Sequence, residues 1–576
     1  MALELLRGGA RKVVFALAPA LLLALVDALA VPVQQMPWSG GRVGRHLVVA
    51  AVIAAGMWIL LSAVDARGRT ERCAAEGAGA PRADADPPGG PAARGAAGGP
   101  ASWRSCLGMA GISAVLWLLM WAAVGPLDAM NDTYWSIRNP LGVAPQQPLV
   151  YSMIISGVVH GLRLVTGSML PGIIALVLLQ VILYGLGLSW TLQVLSRTGV
   201  PRAVLLVLAV VLGFLPITAN FTFALVKDAA FTGFTLLLVP VLLSIQQTGG
   251  RCLRSRGFLC AMVVSALGFA LTRNNALVIL VLVGVLIVVL ARRARRTACV
   301  WVAGIVVVAL LPQQILTLAA GPQKSVESLG VPLQMVGSTL VHEPQCIAPE
   351  DARTLERIMP AQTWRDVFRP QSVDPVKYDP AFSEDALQGS RGEFLAVFAR
   401  TLGRCPGPML AGYRDQTSQL WRWDAIGVGG TSQSFFLEPI SNAPGDRDEI
   451  LADLAGHGVV KRPLLGEVVG TRMESVYRGG LEATPGAGTW VWALALVMAA
   501  AWYGRRGEVL VVAFPALLLW ATLMAAAPIA EPFRYVAYLP WILAISAVVL
   551  LWGRGRAISR PGAPRAAARS RRTTPG

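Results

Sequence analysis

The sequence predicts an α-helical polytopic membrane protein of about twelve transmembrane helices, with a mixed extracytoplasmic domain inserted before the last three. Three observations predict it. Hydrophobic residues make up 55% of the chain and charged residues only 14%, which leaves too little polar surface for an ordinary water-soluble protein. The hydrophobic residues gather in uninterrupted runs long enough to approach the roughly 30 Å of a bilayer's hydrocarbon core. Lysine and arginine fall between those runs, and mostly on alternate sides of them.

In chain order the runs are 13–31, 47–64, 107–124, 170–195, 203–217, 231–245, 258–271, 276–290, 298–320, 490–503, 509–527 and 536–551. With both termini placed in the cytoplasm, the inner connections and tail carry 27 Lys and Arg, whereas the short outer connections carry 7. Short basic loops stay cytoplasmic, so this asymmetry selects the orientation. A further apolar run, 149–165, contains His160 and Arg163. Letting it cross would move the clusters 251–256 and 292–296 outside, so it reads as an interfacial helix on the outer surface. The first run ends in Ala28-Leu29-Ala30 after a basic start, compatible with signal-peptidase cleavage; the second run would begin outside either way.

The organisation that follows is a two-span hairpin (1–64), a disordered cytoplasmic linker (65–104), a membrane core (105–320) with an outer loop at 125–169, an extracytoplasmic domain (321–488), three last spans (489–552) and a disordered basic cytoplasmic tail (553–576). The linker and tail are rich in Ala, Gly, Pro and Arg, a composition without a core to bury. Within 321–488 the polarity is mixed, and helices are predicted around 392–402 and 410–421. This segment holds 21 acidic against 16 basic residues, so the net charge of +17 resides on the membrane part and its inner face. Anionic lipid headgroups account for that excess, and no nucleic-acid partner is called for. Cys346 and Cys405 stand alone on the outer side and are disulfide candidates in an oxidising compartment. Asn131-Asp132-Thr133 and Asn220-Phe221-Thr222 match the glycosylation pattern, but the Ala, Gly and Arg richness points to a bacterial source, where the pattern carries no weight.

Ionisable residues collect at the outer ends of the runs: Asp128 and Asp132 after the third, Lys227 and Asp228 before the sixth, Arg273-Asn274-Asn275 between the seventh and eighth, and Glu531 and Arg534 before the last. Charges at a membrane boundary are either solvated helix ends or functional groups. Carboxylates beside Lys and Arg suit group transfer from a lipid phosphate: the carboxylate deprotonates an acceptor hydroxyl, and the cations stabilise the departing phosphate. The chain has no phosphate-binding G-x-x-x-x-G-K-[ST] loop and no dinucleotide fingerprint, which favours a lipid-carried donor. Trp364, Trp421, Trp423, Phe435 and Phe436 are aromatic faces suited to stacking on sugar or, more ordinarily, to packing and headgroup-level anchoring.

Asn131-Asp132-Thr133-Tyr134-Trp135, followed by Gln146-Gln147-Pro148-Leu149 ahead of the interfacial helix, resembles the first outer loop of GT-C membrane glycosyltransferases. More narrowly it resembles a bacterial multi-span family of unassigned function near them. Val226-Lys227-Asp228, Leu271-Thr272-Arg273-Asn274-Asn275, Val331-Pro332-Leu333-Gln334, Asp374-Pro375-Val376-Lys377 and Phe533-Arg534-Tyr535 are similar to segments of that family. The resemblance implies a polyprenyl-phosphate sugar donor, a carbohydrate or lipid acceptor in the cell envelope, and an acidic base or metal ligand in the first outer loop. Asp132 takes that position, with Asp128 the competing carboxylate. Lys227, Asp228, Arg273, Asn274, Asn275, Arg534, Gln146 and Gln147 are the implied substrate-binding residues. Gln146-Gln147-Pro148 stands where related sequences often have His before Pro, so whether a divalent metal takes part stays open, and two extra spans precede the core. The expectation is an inverting glycosyltransferase of the bacterial plasma membrane. Its alternatives are a transporter or flippase for a lipid-linked precursor and a non-catalytic envelope-assembly scaffold.

Overall fold

The computed structural model describes residues 2–30, 40–77, 101–126, 131–138, 147–320, 326–423, 446–460, 462–526 and 532–553. Over the described residues, each predicted run is largely helical. The first three are α1 (Ala2–Ala30), α2 (Gly40–Gly77) and α3 (Trp103–Val124), followed in the outer loop by α4 (Asn131–Arg138) and α5 (Leu149–Thr166). Next come α6 (Leu170–Arg197), α7 (Arg202–Phe214), α8 (Pro216–Phe223), α9 (Lys227–Thr248), α10 (Arg256–Leu271), α11 (Ala276–Leu290) and α12 (Arg295–Ala320). The domain contributes α13 (Gly330–His342), α14 (Pro349–Ile358), α15 (Ala361–Val367), α16 (Asp374–Lys377), α17 (Glu384–Gly389), α18 (Arg391–Arg404), α19 (Pro406–Thr417), α20 (Asp446–Gly456) and α21 (Glu467–Glu482). The chain closes with α22 (Ala487–Gly504), α23 (Gly507–Ala526), the single turn α24 (Pro532–Tyr535) and α25 (Leu539–Trp552). Among the described residues, eight helices are long and apolar enough to cross a bilayer, α5, the expected interfacial helix, included, and α7 with α8 qualifies as a pair. This is the architecture of an α-helical membrane protein.

Two expectations about the membrane helices change. The run 203–217 is not one helix: α7 and α8 meet at a 70° bend. Pro216 has no N–H to continue α7, and it holds Leu215 in extended backbone, φ −66° and ψ 115°. In a bilayer the carbonyls released by such a break must find donors within the protein. Trp117 Nε1 donates to Leu212 O at 3.2 Å, and Thr218 Oγ1 donates to Leu212 O at 2.6 Å and Leu215 O at 2.8 Å. In addition, α2 continues to Gly77, past the predicted start of the disordered linker at 65. Arg67 anchors the extension by donating to Trp552 O at 3.4 Å.

The helix ends assigned to the cytoplasmic side meet at one end of the bundle. Lys12 pairs with Asp65 at 3.4 Å, Tyr503 donates to Asp65 at 3.1 Å, and Arg506 donates to Gly553 O at 2.6 Å. The Arg293 backbone N–H donates to Gly249 O at 2.9 Å, joining two more of these connections.

At the opposite end, residues 326–409 build a second core around the fully buried Trp364, Leu333, Ile358, Phe394 and Met409. Where mixed structure was expected, the described part of this domain is helical, with one isolated bridge between Arg369 and Ser372. Both predicted helices are present as α18 and α19. Cys346 and Cys405, with Cα atoms 6.0 Å apart, are joined by a disulfide. The helices α13 and α19 cross so closely that a Cβ at Gly412 would lie 2.7 Å from Ser338 Cβ. The domain rests on the spans through its backbone: Trp520 Nε1 donates to Leu420 O at 3.0 Å and Trp492 Nε1 to Trp421 O at 2.7 Å. Gly488 is the matching close approach, because a side chain there would occupy the Arg422 carbonyl.

Candidate functional site

The connection from α8 to α9 carries Lys227 and Asp228, and side chains from two other helices hold its backbone. Gln180 on α6 donates to Phe221 O at 3.3 Å and Ala224 O at 2.8 Å, Tyr184 on α6 donates to Ala229 O at 2.8 Å, and Thr133 on α4 donates to Leu225 O. Val226 is extended, φ −141° and ψ 146°, and α9 begins at the next residue. Asp228 therefore lies in the first turn of a 22-residue helix, where the helix dipole favours a carboxylate.

Asp228 is 1% exposed, and neither carboxylate oxygen accepts a hydrogen bond. Its compensation is ionic: Arg273 Nη1 stands 3.3 Å from Oδ1. The same Nη1 donates to Tyr535 O at 3.1 Å, and the guanidinium carbon lies 4.6 Å from the Tyr535 ring centroid and 5.5 Å from that of Phe231. Arg534 lies 4.7 Å from the same Tyr535 ring and donates to its hydroxyl at 2.5 Å. Lys227 is buried beside Asp228 in sequence, while Arg534 is half-buried. Asn275 donates to Thr522 Oγ1 at 3.2 Å and keeps a buried carbonyl oxygen without a donor, whereas Asn274 is exposed. The structure thus gathers Lys227, Asp228, Arg273 and Arg534 from three remote segments. Because Arg273 is committed to Asp228 and to Tyr535, it organises the cluster, and Arg534 is the more accessible cation.

The first outer loop reaches this cluster through α4. Asp132 directly precedes Thr133, whose hydroxyl bonds the carbonyl two residues ahead of Lys227. Asp128, Gln146, Glu531 and the side chain of Asp132 lie outside the described residues, as do Phe435 and Phe436. Gln147 is half-buried at the residue before Pro148, which caps α5. Three polar groups on one face of α5 hold it against α4: Ser152 to Ser136 at 3.1 Å, and Ser156 and His160 to Ile137 O, each at 3.1 Å. Trp364 is a core residue, and Trp421 and Trp423 lie where the domain meets the spans. Asn220 is completely buried and accepts from Tyr477 at 2.8 Å, so its glycosylation pattern has no access to solvent.

A second polar cluster had no sequence signal. Arg138 Nη1 donates to the Tyr134 hydroxyl at 2.8 Å, and that hydroxyl donates to Asp453 Oδ2 at 3.1 Å. Arg138 also pairs with Asp453 at 3.4 Å, and His457 Nε2 is 3.8 Å from the same carboxylate. Burial raises the Tyr134 hydroxyl above the ordinary tyrosine range; Arg138 draws it back and Asp453 pushes it up, so it stays protonated and donates. Asp453 is one of the domain's 21 acidic residues, and nothing in its local sequence separates it from the others. Among the described residues, the one grouping of metal-type donors is Glu343 with Cys346 and Cys405, and the two sulfurs are already bonded to each other.

Residues 138–379 match a family described as a family of unknown function (DUF6020). The match takes in Lys227, Asp228 and Arg273 and ends before Arg534. No curated protein and no solved structure matches the chain.

Proposed function

We propose that this chain is an inverting membrane glycosyltransferase, which moves a sugar from a polyprenyl-phosphate carrier to an envelope acceptor at the outer face of the plasma membrane. The observation that carries the reading is the cluster of Asp228, Arg273, Tyr535 and Arg534 at helix ends, with the Asp132-bearing helix α4 fastened to the same connection. In this reading Asp132 takes the proton from the acceptor hydroxyl, the acceptor oxygen attacks the anomeric carbon, and the bond from that carbon to the phosphate oxygen breaks. Polyprenyl phosphate leaves, with its charge met by Arg534 and Lys227. Asp228 and the Tyr535 carbonyl hold Arg273, and through the shared ring they fix where Arg534 stands.

The broken pair α7–α8 favours a second reading, since discontinuous spans are a hallmark of transporters. Against it, the ionisable groups stand at helix ends, and the break is closed by Trp117, Thr218 and Tyr477. The test is the purified full chain in lipid nanodiscs with a fluorescent polyprenyl-phosphate hexose and envelope glycan fractions. Acceptor-dependent release of polyprenyl phosphate supports the transferase. Translocation of intact donor in vesicles, with no bond cleavage, replaces it by the transporter.

A further inference from the structure

The bend at Pro216 stops α7 short of a full span. As a 13-residue helix, α7 is about 20 Å long, some 10 Å short of the hydrocarbon core. Its exposed Val207, Val211 and Phe214 show that one side faces lipid up to the point where it stops. The next helix, α8, turns away by 70° and is buried from residue 217 to residue 223.

The helix α21, assigned by sequence to the extracytoplasmic domain, packs on α3 and α8 at that bend. Just before it, the Leu464 N–H donates to Ala122 O at 2.7 Å, at the outer end of α3. Within it, Tyr477 donates to the buried Asn220 of α8, and Gly480 packs on Pro216 so tightly that a Cβ would lie 2.6 Å from the proline ring. Gly470, Tyr477 and Leu481 form the inward face. Val469 and Val476, two turns apart on one flank, are 51% and 78% exposed, and Thr471 and Ser475 occupy the other flank.

We propose that α21 is seated in the outer leaflet at the headgroup boundary. Its Val469 and Val476 flank enters the acyl region beside α7, and the exposed Arg462 and Arg472 contact lipid phosphates. The contact of Gly480 with Pro216, where the apolar exposed side of α7 stops, and the charge of the two arginines select the bilayer as occupant. The proposal is independent of the catalytic reading.

Power-saturation EPR tests it on the full chain in nanodiscs of phosphatidylglycerol and phosphatidylethanolamine, with Cys73, Cys106, Cys252, Cys260 and Cys299 changed to Ala. Nitroxides at Val469→Cys and Val476→Cys should be at least threefold more accessible to oxygen than to a water-soluble nickel chelate, and Thr471→Cys should show the reverse preference. Equal chelate accessibility at all three positions would place α21 in water. Low accessibility of Val476→Cys to both reagents would mean that protein, and not lipid, covers this flank. Either result overturns the proposal.

Discussion

At Arg273 three neighbours select a guanidinium over an ammonium: the Asp228 carboxylate, the Tyr535 carbonyl and the Tyr535 ring. A lysine keeps the charge but cannot meet all three, because it presents a point charge without a planar face. The pair is buried, so removing one partner leaves an uncompensated charge that costs about 3–5 kcal/mol, whereas removing both costs far less. Arg273→Met should therefore lower the thermal midpoint strongly. The double variant Asp228→Asn, Arg273→Met should recover much of the loss in a thermal unfolding series, and simple additivity would mean that the two groups are not coupled. Asp132 makes a different demand. Asp132→Asn preserves size and hydrogen bonding while abolishing basicity, so turnover should fall roughly 100-fold or more with donor binding little changed. Asp128→Asn is the matched control; collapse there, with a normal rate in the Asp132 variant, transfers the role to Asp128.

On the scale of an element, the polar latch between α4 and α20 makes the placement of the first outer loop depend on a distant helix. Tyr134→Phe removes the hydroxyl that donates to Asp453. A hydrogen bond to a charged group is worth about 1.5–3 kcal/mol, so exchange of the α4 backbone amides, followed by hydrogen–deuterium exchange, should accelerate by about 10- to 100-fold. Asp453→Asn should have a similar effect, and unchanged protection in both would sever α4 from α20. In the domain, Lys377 on α16 bonds Glu327 at 2.8 Å and pairs with Asp374 at 3.0 Å. Burial works against its charge, but Asp374 and Glu327 outweigh burial and hold it above the ordinary lysine range. A raised folded-state value gives stability that is complete below about pH 10, where the unfolded lysine is also charged, and is lost progressively as pH rises from there through the folded value. Lys377→Met should thus destabilise the domain about equally at pH 6 and pH 9; a difference confined to one of these would mean that another group titrates. The helices α18 and α19 could be read in advance from sequence, but the α7–α8 break could not. Apolar residues continue through Leu215 and Ile217, and one proline in such a run signals a kink or a stop without choosing between them. The latch was illegible for another reason: Asp453 and Tyr134 are separated by more than 300 residues, and each looks ordinary among its neighbours.

At the scale of the whole molecule, sequence and structure agree on which helix ends belong together, and they reach that agreement by independent routes. Charge counting assigns Lys12, the Arg67 region, the 249–256 turn, the 292–296 cluster, Arg506 and the end of the last span to one side. Packing joins Lys12 to Asp65, Arg67 to Trp552, Gly249 to Arg293 and Arg506 to Gly553. The other end collects the Lys227, Arg273 and Arg534 cluster together with the domain, although no pair of those residues is near in sequence except through the fold. Neither route says which end faces the cytoplasm except through the positive-inside rule, and that rule makes a direct prediction. An impermeant thiol reagent applied to intact cells should label a cysteine introduced at Ser325, in the 321–488 segment, and should miss one at Gly250, in a basic connection. After the membrane is permeabilised, both should react. The opposite pattern in intact cells would turn the molecule over, put the Asp132 loop in the cytoplasm, and leave the Cys346–Cys405 disulfide in a reducing compartment where such bonds seldom persist. The two observations therefore stand or fall together: labelling of Ser325→Cys from outside, and a gel mobility shift of the native protein on reduction, are expected from the same orientation.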